Sequence, residues 1–259
     1  MCRHLAVLGP PEPIGATVVE PAHALFRQSW APRRQRYGTV NADGFGVGWY
    51  APEDPVPARY RRAGPIWADP SFADLARVVR TGALLAAVRD ATEASADGEA
   101  AAAPFAGGPW LFSHNGALTG WPDSVAPLTA LLPRADLLRL AARCDSAFVW
   151  ALVERRLRGG EPPGRALAAT VAALASAAPG SRLNLLLTDG ASVTATAWGD
   201  SLWYLVADGR TAVASEPYDD DPRWTQAPDR TLLTATRAEL SVVPLSPLSS
   251  LPSLKEPVS

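Results

Sequence analysis

A chain of 259 residues with 47% hydrophobic and 19% charged side chains is long enough for a sizeable core and too apolar to stay disordered. Its formal net charge of −2, with basic residues scattered, offers no attraction for nucleic acid or an anionic membrane surface. Two cysteines make no disulfide framework, and the apolar stretch after Arg3 and His4 is too short for a signal peptide, so a soluble cytoplasmic protein is expected.

Residues 2–8 read as a buried strand stopped by Gly9-Pro10-Pro11, 21–30 as a short helix and 33–43 as a polar loop. Residues 45–50 read as a strand in which Gly44, Gly46 and Gly48 alternate. Glycine weakens a strand, so the pattern calls for another backbone or a ligand close to one face. A turn at 52–57 leads to a return strand at 59–62. A helix follows at 71–80, with Phe72, Leu75, Val78 and Val79 on one side, and then a strand at 84–89. The small-residue stretch 92–103 reads as a mobile loop placed to serve as a lid. Residues 110–114 form a strand that ends at Asn115-Gly116.

From 123 to 178 the pattern is helical, with helices around 137–141, 148–157 and 166–175. The last of these runs, 166–178, falls well short of the roughly 20 apolar residues that a membrane span needs. Strands return at 182–188, 193–198, 202–206, 212–215 and 231–234, with Asp189-Gly190 and Asp208-Gly209 as hairpin signals between them. Beyond Val243 the chain is rich in Pro, Ser and Leu, which sets one domain over 2–242 and a flexible tail over 243–259. Strands, then helices, then hairpins imply an α+β protein of mainly antiparallel sheets, with two sheets stacked between helical layers.

The only lysine is Lys255, which argues against Schiff-base chemistry, a pyridoxal-phosphate lysine and a P-loop. No GxGxxG follows a strand. No cofactor is therefore expected. The three histidines and two cysteines show no paired ligand spacing, so no metal is expected either.

Four short stretches could carry chemistry. Cys2 follows Met1 directly, and removal of Met1 would give one residue both a thiol and an α-amine of pKa roughly 7.7–8.0, close to working pH. Nucleophile and base would then come as one unit, although position alone favours a small apolar residue in an edge strand. In FSHNGAL, Asn115 and Gly116 offer a side-chain amide and a backbone N–H, two donors suited to the oxyanion of an acyl-transfer intermediate, or an ordinary Asn-Gly turn. An apolar strand delivers Arg89, which can grip a carboxylate bidentately or emerge into solvent. Asp145, in RCDSAFVW, reads as a helix N-cap or as an anchor for an ammonium group.

In order and approximate spacing these stretches resemble the class II, N-terminal nucleophile, glutamine amidotransferase domain over most of residues 2–235. NADGFGVGWY, residues 41–50, stands where that family has its Gly-rich second strand. The resemblance implies a four-layer αββα sandwich of the N-terminal nucleophile hydrolase type. It also implies that Cys2 attacks a γ-glutamyl amide to form a thioester, with its α-amine as base and acid. Asn115 and Gly116 would form the oxyanion hole. Arg89 would hold the substrate α-carboxylate and Asp145 its α-ammonium, with His114 and Thr92 as further substrate contacts. Members that feed ammonia to a synthase often carry Trp after the arginine, where this chain has Asp90, and no synthase domain is visible.

CRHLAVLG, RQSWAPRRQ, LFSHNG, RLNLLLTDG and ASEPYDDDPRW are similar to stand-alone members acting in ergothioneine biosynthesis. That similarity implies hydrolysis of γ-glutamyl-hercynylcysteine sulfoxide, a small-molecule substrate. Trp30, Trp67, Trp110 and Trp121 are then candidates to line a pocket for a bulky leaving group, against the general tendency of tryptophan to pack in cores. Ser215 and Glu216 either shape the pocket or end a strand. A glutaminase subunit serving a separate synthase, and a non-catalytic binding relative, are the alternatives.

Overall fold

The computed structural model describes residues 2–38, 40–91 and 98–245. In chain order its strands and helices are β1 (Arg3–Pro13), α1 (Gly15–Val18), α2 (Leu25–Gln28), β2 (Phe45–Trp49), β3 (Ala58–Arg62), α3 (Pro70–Val78), β4 (Arg80–Val88), β5 (Phe105–Gly107) and β6 (Trp110–Ala117). There follow α4 (Arg134–Leu138), α5 (Asp145–Arg158), α6 (Pro163–Ala177), β7 (Arg182–Thr188), β8 (Val193–Ala197), β9 (Trp203–Ala207), β10 (Arg210–Ala214), β11 (Thr225–Gln226), β12 (Thr231–Ala235) and β13 (Leu240–Pro244).

Among the described residues these strands form two sheets, in the orders β11-β9-β10-β1-β4-β2-β3 and β13-β12-β8-β7-β6-β5. Neighbouring strands pair antiparallel throughout. The period-two alternation of β1 explains the layering. Leu5 and Val7 join Phe45, Phe72 and Ile66 in a core between the first sheet and α1–α3. Ala6 and Leu8 face the other way and join Leu111, Leu186, Val213 and Leu233 in a core between the sheets. Phe112, Leu185 and Leu187 pack with Phe148, Leu152, Leu167 and Val171 beneath α5 and α6. The layers are thus helix, sheet, sheet, helix.

Local chemistry sets the element ends. Asp69 caps α3 by accepting from the Ser71 and Phe72 N–H groups at 3.0 and 3.2 Å, with Pro70 at the first helical position. Helix α5 begins with an acidic residue and ends with Arg155, Arg156 and Arg158, charges that complement its dipole. Asp208 and Gly209 both have positive φ, 56° and 70°, the two-residue hairpin geometry expected between β9 and β10.

The alternating glycines of β2 meet close neighbours. A β-carbon on Gly46 would collide with the Ala103 carbonyl oxygen, and one on Gly48 would collide with the Leu111 side chain. The close approach expected from sequence is therefore made by backbone at Gly46 and by a core side chain at Gly48.

Several expectations need correction. The helix expected over 21–30 contracts to the single turn of α2, because Pro21 and the turn around it precede Leu25. The region 123–138 is mostly a 3₁₀ segment, Asp123–Leu131, with Pro127 inside it, and the short α4 follows Pro133. Asn115-Gly116 is no strand end: β6 runs on to Ala117, with Asn115 opposite Asn184 and Gly116 opposite Leu183. Val243 and Pro244 pair with Leu232 and Thr231, so the second sheet reaches into the stretch assigned to the tail. Half of the lid stretch, 92–97, and residues 246–259 lie outside the described residues.

Replacing Gly46 with alanine should destabilise the fold by about 1–3 kcal/mol, because the β-carbon must displace the 102–104 backbone. Urea unfolding should show a lower midpoint with an unchanged slope.

Candidate active site

Cys2 sits immediately before β1, the central strand of the first sheet, and is half-buried. It lines a pocket of about 310 Å³, counting the part open to solvent, together with Arg89, Ser113, His114, Ser146, Phe45, Ala87, Val88, Ala101, Ala103 and Phe105. Two sheets and one helix end therefore meet there: β4 brings Arg89, β6 brings Ser113 and His114, and the start of α5 brings Ser146.

Burial pushes the Cys2 thiol up, while the Asp90 backbone N–H and the Arg89 guanidinium act in the opposite direction. The carboxylate of Asp145 is close enough to raise it further. A thiol held in its neutral form needs a base beside it before it can attack.

Arg89 is held by the NADG segment. Its Nη1 donates to the Asp43 carbonyl at 3.1 Å, its backbone N–H to the Gly44 carbonyl at 2.8 Å, and Ala91 N–H donates to Asp43 Oδ2 at 2.8 Å. Asp145 does not act as the N-cap; that position is Cys144, and Asp145 is the first residue of α5. Its Oδ2 accepts from Leu118 N–H at 3.1 Å and its Oδ1 from Ser146 N–H at 2.7 Å, which ties the helix to the end of β6.

His114 is 2% exposed and bridges two partners. Nε2 lies 2.9 Å from the Arg182 carbonyl oxygen, which can only accept, so Nε2 carries the proton. Nδ1 lies 3.1 Å from Ser146 Oγ. A β-carbon on Gly116 would overlap the Arg182 carbonyl and crowd His114 Nε2, which is why glycine stands there. Asn115 is fully buried, donates through Nδ2 to Ser215 Oγ at 3.1 Å, and has no hydrogen-bond partner for Oδ1 among the described residues.

Cys2, Arg89 and His114 thus line one pocket, with Asp145 next to its Ser146 wall. Asn115 and Gly116 follow His114 on the same strand, and Thr92 lies outside the described residues. The four tryptophans do not line this pocket. Trp30 packs edge-on against Phe26 and Trp67, Trp121 packs on Phe148, and Trp110 rests on the helix-side core. Trp67 remains 41% exposed and the other three are partly buried.

Sequence reasoning passed over Ser146, Asp43 and the arginines of β3. The first two stand inside the CDSA and NADG stretches already singled out, so proximity to those stretches was the available signal. The β3 arginines hold the opposite pocket wall: Arg59 donates to the Pro104 carbonyl and Arg61 to the Ala102 carbonyl, each at 3.1 Å, and Arg62 lies 3.6 Å from Glu99.

Residues 18–210 match the family described as class-II glutamine amidotransferases. The chain is 42% identical, over 95% of its own length and 100% of the relative's, to a protein from Mycolicibacterium smegmatis named gamma-glutamyl-hercynylcysteine sulfoxide hydrolase. Among solved structures it is similar to a glutamine aminotransferase class-II domain protein from Silicibacter pomeroyi, with a TM-score of 0.67 and 23% identity over 95% of this chain and 100% of that one. It is also similar to glutamine phosphoribosylpyrophosphate amidotransferase from B. subtilis, with a TM-score of 0.64 and 15% identity over 95% of this chain and 49% of that one. Both structures share the fold. No helix among the described residues is long and apolar enough to cross a membrane.

Burial pushes the His4 imidazole, 3.1 Å from Ser113 Oγ, down from 6.5 to about 3. The unfolded chain therefore takes up a proton that the folded chain refuses, and stability should fall as the pH drops below 6.5 and go on falling to about 3. His4→Gln should flatten that part of the acid limb, measured by urea unfolding at a series of pH values across the window.

Proposed function

The chain belongs to the class-II glutamine amidotransferases, and we propose that it is a γ-glutamyl amidohydrolase with Cys2 as nucleophile and γ-glutamyl-hercynylcysteine sulfoxide as substrate. The observation that carries this reading is the shared pocket of Cys2, Arg89, His114 and Ser146. The near full-length relative named for that hydrolysis supports the choice of substrate.

In this mechanism Met1 is removed and the α-amine of Cys2 becomes the base. It takes the thiol proton as Sγ attacks the γ-glutamyl carbonyl carbon. The tetrahedral oxyanion is met by Asn115 Nδ2 and the Gly116 N–H. Collapse to the thioester breaks the C–N bond, and the leaving amine takes its proton from the α-ammonium. Water, deprotonated by the same amine, then attacks the thioester and releases glutamate and the Cys2 thiol.

Recognition falls to charge. Arg89 pairs with the substrate α-carboxylate, and Asp145 keeps lone pairs for the α-ammonium beyond those used by Leu118 and Ser146. His114 and Thr92 complete the substrate contacts. The thiol chemistry would be superfluous in a purely binding relative.

Cys2→Ala should abolish glutamate release from γ-glutamyl-hercynylcysteine sulfoxide while leaving the unfolding midpoint near that of the parent. Intact-mass analysis should show the active protein without Met1, and free glutamine should be hydrolysed far more slowly. Full activity in Cys2→Ala, or in protein that retains Met1, would remove the mechanism. Arg89→Ala should raise KM by about 10- to 100-fold, the loss expected for a charged hydrogen-bonded pair; saturation curves read this directly.

A further inference from the structure

Two fully buried polar side chains at the end of β10 take no part in these steps. Ser215 and Glu216 are each 0% exposed. Ser215 is joined to β1 on both sides: its N–H donates to the His4 carbonyl at 2.9 Å, and its Oγ accepts from the His4 N–H at 3.0 Å. The same Oγ accepts from Asn115 Nδ2 at 3.1 Å. One hydroxyl thus links the strand that begins beside Cys2 to an amide on the opposite sheet.

Glu216 makes the matching connection to the nucleophile. Its Oε1 accepts from Arg33 N–H at 2.9 Å and its Oε2 from Arg34 N–H at 2.7 Å, with Arg3 Nη1 4.0 Å from Oε2. Arg3 Nε in turn donates to the Cys2 carbonyl at 2.9 Å. A buried carboxylate and guanidinium hold their places by pairing and hydrogen bonding; here the backbone N–H groups of Arg33 and Arg34 hold Glu216, and a 4.0 Å ion contact joins it to Arg3.

We propose that Ser215 and Glu216 are positioning residues: Ser215 sets the Asn115 amide and Glu216, through Arg3, sets the Cys2 peptide, so that the corner registers nucleophile against oxyanion donor across two sheets. The inference rests on the roles proposed above for Cys2 and Asn115. An amide bound to Ser215 through one Nδ2 hydrogen keeps its plane fixed and has its second hydrogen free for the oxyanion. Without the hydroxyl, the amide turns about its last torsion, and a misplacement of about 1 Å can cost about 100-fold in rate. Neither side chain touches the γ-glutamyl charges in this scheme, so the effect falls on kcat and leaves KM alone.

The test is a double-mutant cycle on the processed, full-length enzyme with γ-glutamyl-hercynylcysteine sulfoxide. Ser215→Ala should lower kcat at least about tenfold with KM within about twofold, and in an Asn115→Ala background it should change kcat by less than about twofold. Glu216→Gln, which keeps shape and removes charge, should show the same split between kcat and KM; unfolding midpoints are measured beside both. Undiminished kcat in Ser215→Ala or in Glu216→Gln, or a full tenfold loss that persists without the Asn115 amide, overturns the proposal. A parent enzyme that releases no glutamate overturns the functional reading instead, so the two failures are distinguishable.

Discussion

The face-to-face packing of the two sheets is the constraint on which the site depends. Cys2 stands at the head of the central strand of one sheet and Ser113 and His114 lie on the other, so their meeting is set by how closely the layers approach. The interior between them interleaves the alanines Ala6, Ala83, Ala195, Ala197, Ala227 and Ala235 with leucines and valines. Small side chains permit a close approach, and the interdigitated packing of a protein interior then holds it. Charge and hydrogen bonding act on a geometry that apolar packing has already established.

Within that frame the polar groups near Cys2 form linked pairs. Asp43 restrains Arg89, Asp145 restrains Leu118 and Ser146, and His114 sits between Ser146 and Arg182. Arg182 is itself held, with Nε 3.1 Å from Asp200 and its guanidinium over the Tyr37 ring. Such networks cost desolvation and return it only when every member is satisfied. Asn115 Oδ1 and His4 Nε2 have no hydrogen-bond partner among the described residues. A buried polar atom of this kind calls for a specific explanation, such as a water or a bound group.

The strands were legible wherever alternation and turn chemistry agreed. Residues 182–188 coincide with β7, and the two-residue hairpin at Asp208-Gly209 forms as its composition requires. Asn115-Gly116 misled because the same dipeptide serves a turn or a close backbone approach, and only the position of the Arg182 carbonyl decides between them. The edge strand β13 was hidden by a composition of Leu, Ser, Val and Pro that a tail shares, and its pairing with β12 is a long-range choice. Arg89 and His114 could be picked out as single residues from the strands that deliver them. Ser215 and Glu216 could not be assigned, because the partners of their side chains lie at least 100 residues away in the chain.

The arginines of β3 have a further consequence. The pocket wall of Ala101, Ala103 and Phe105 hangs from guanidinium contacts to an edge strand, at the far side of the sheet from β10. Cavity shape and candidate nucleophile therefore rest on different elements: exchanging the guanidinium groups of the outer strand would recut the cavity wall without altering the strands that carry Cys2 and His114.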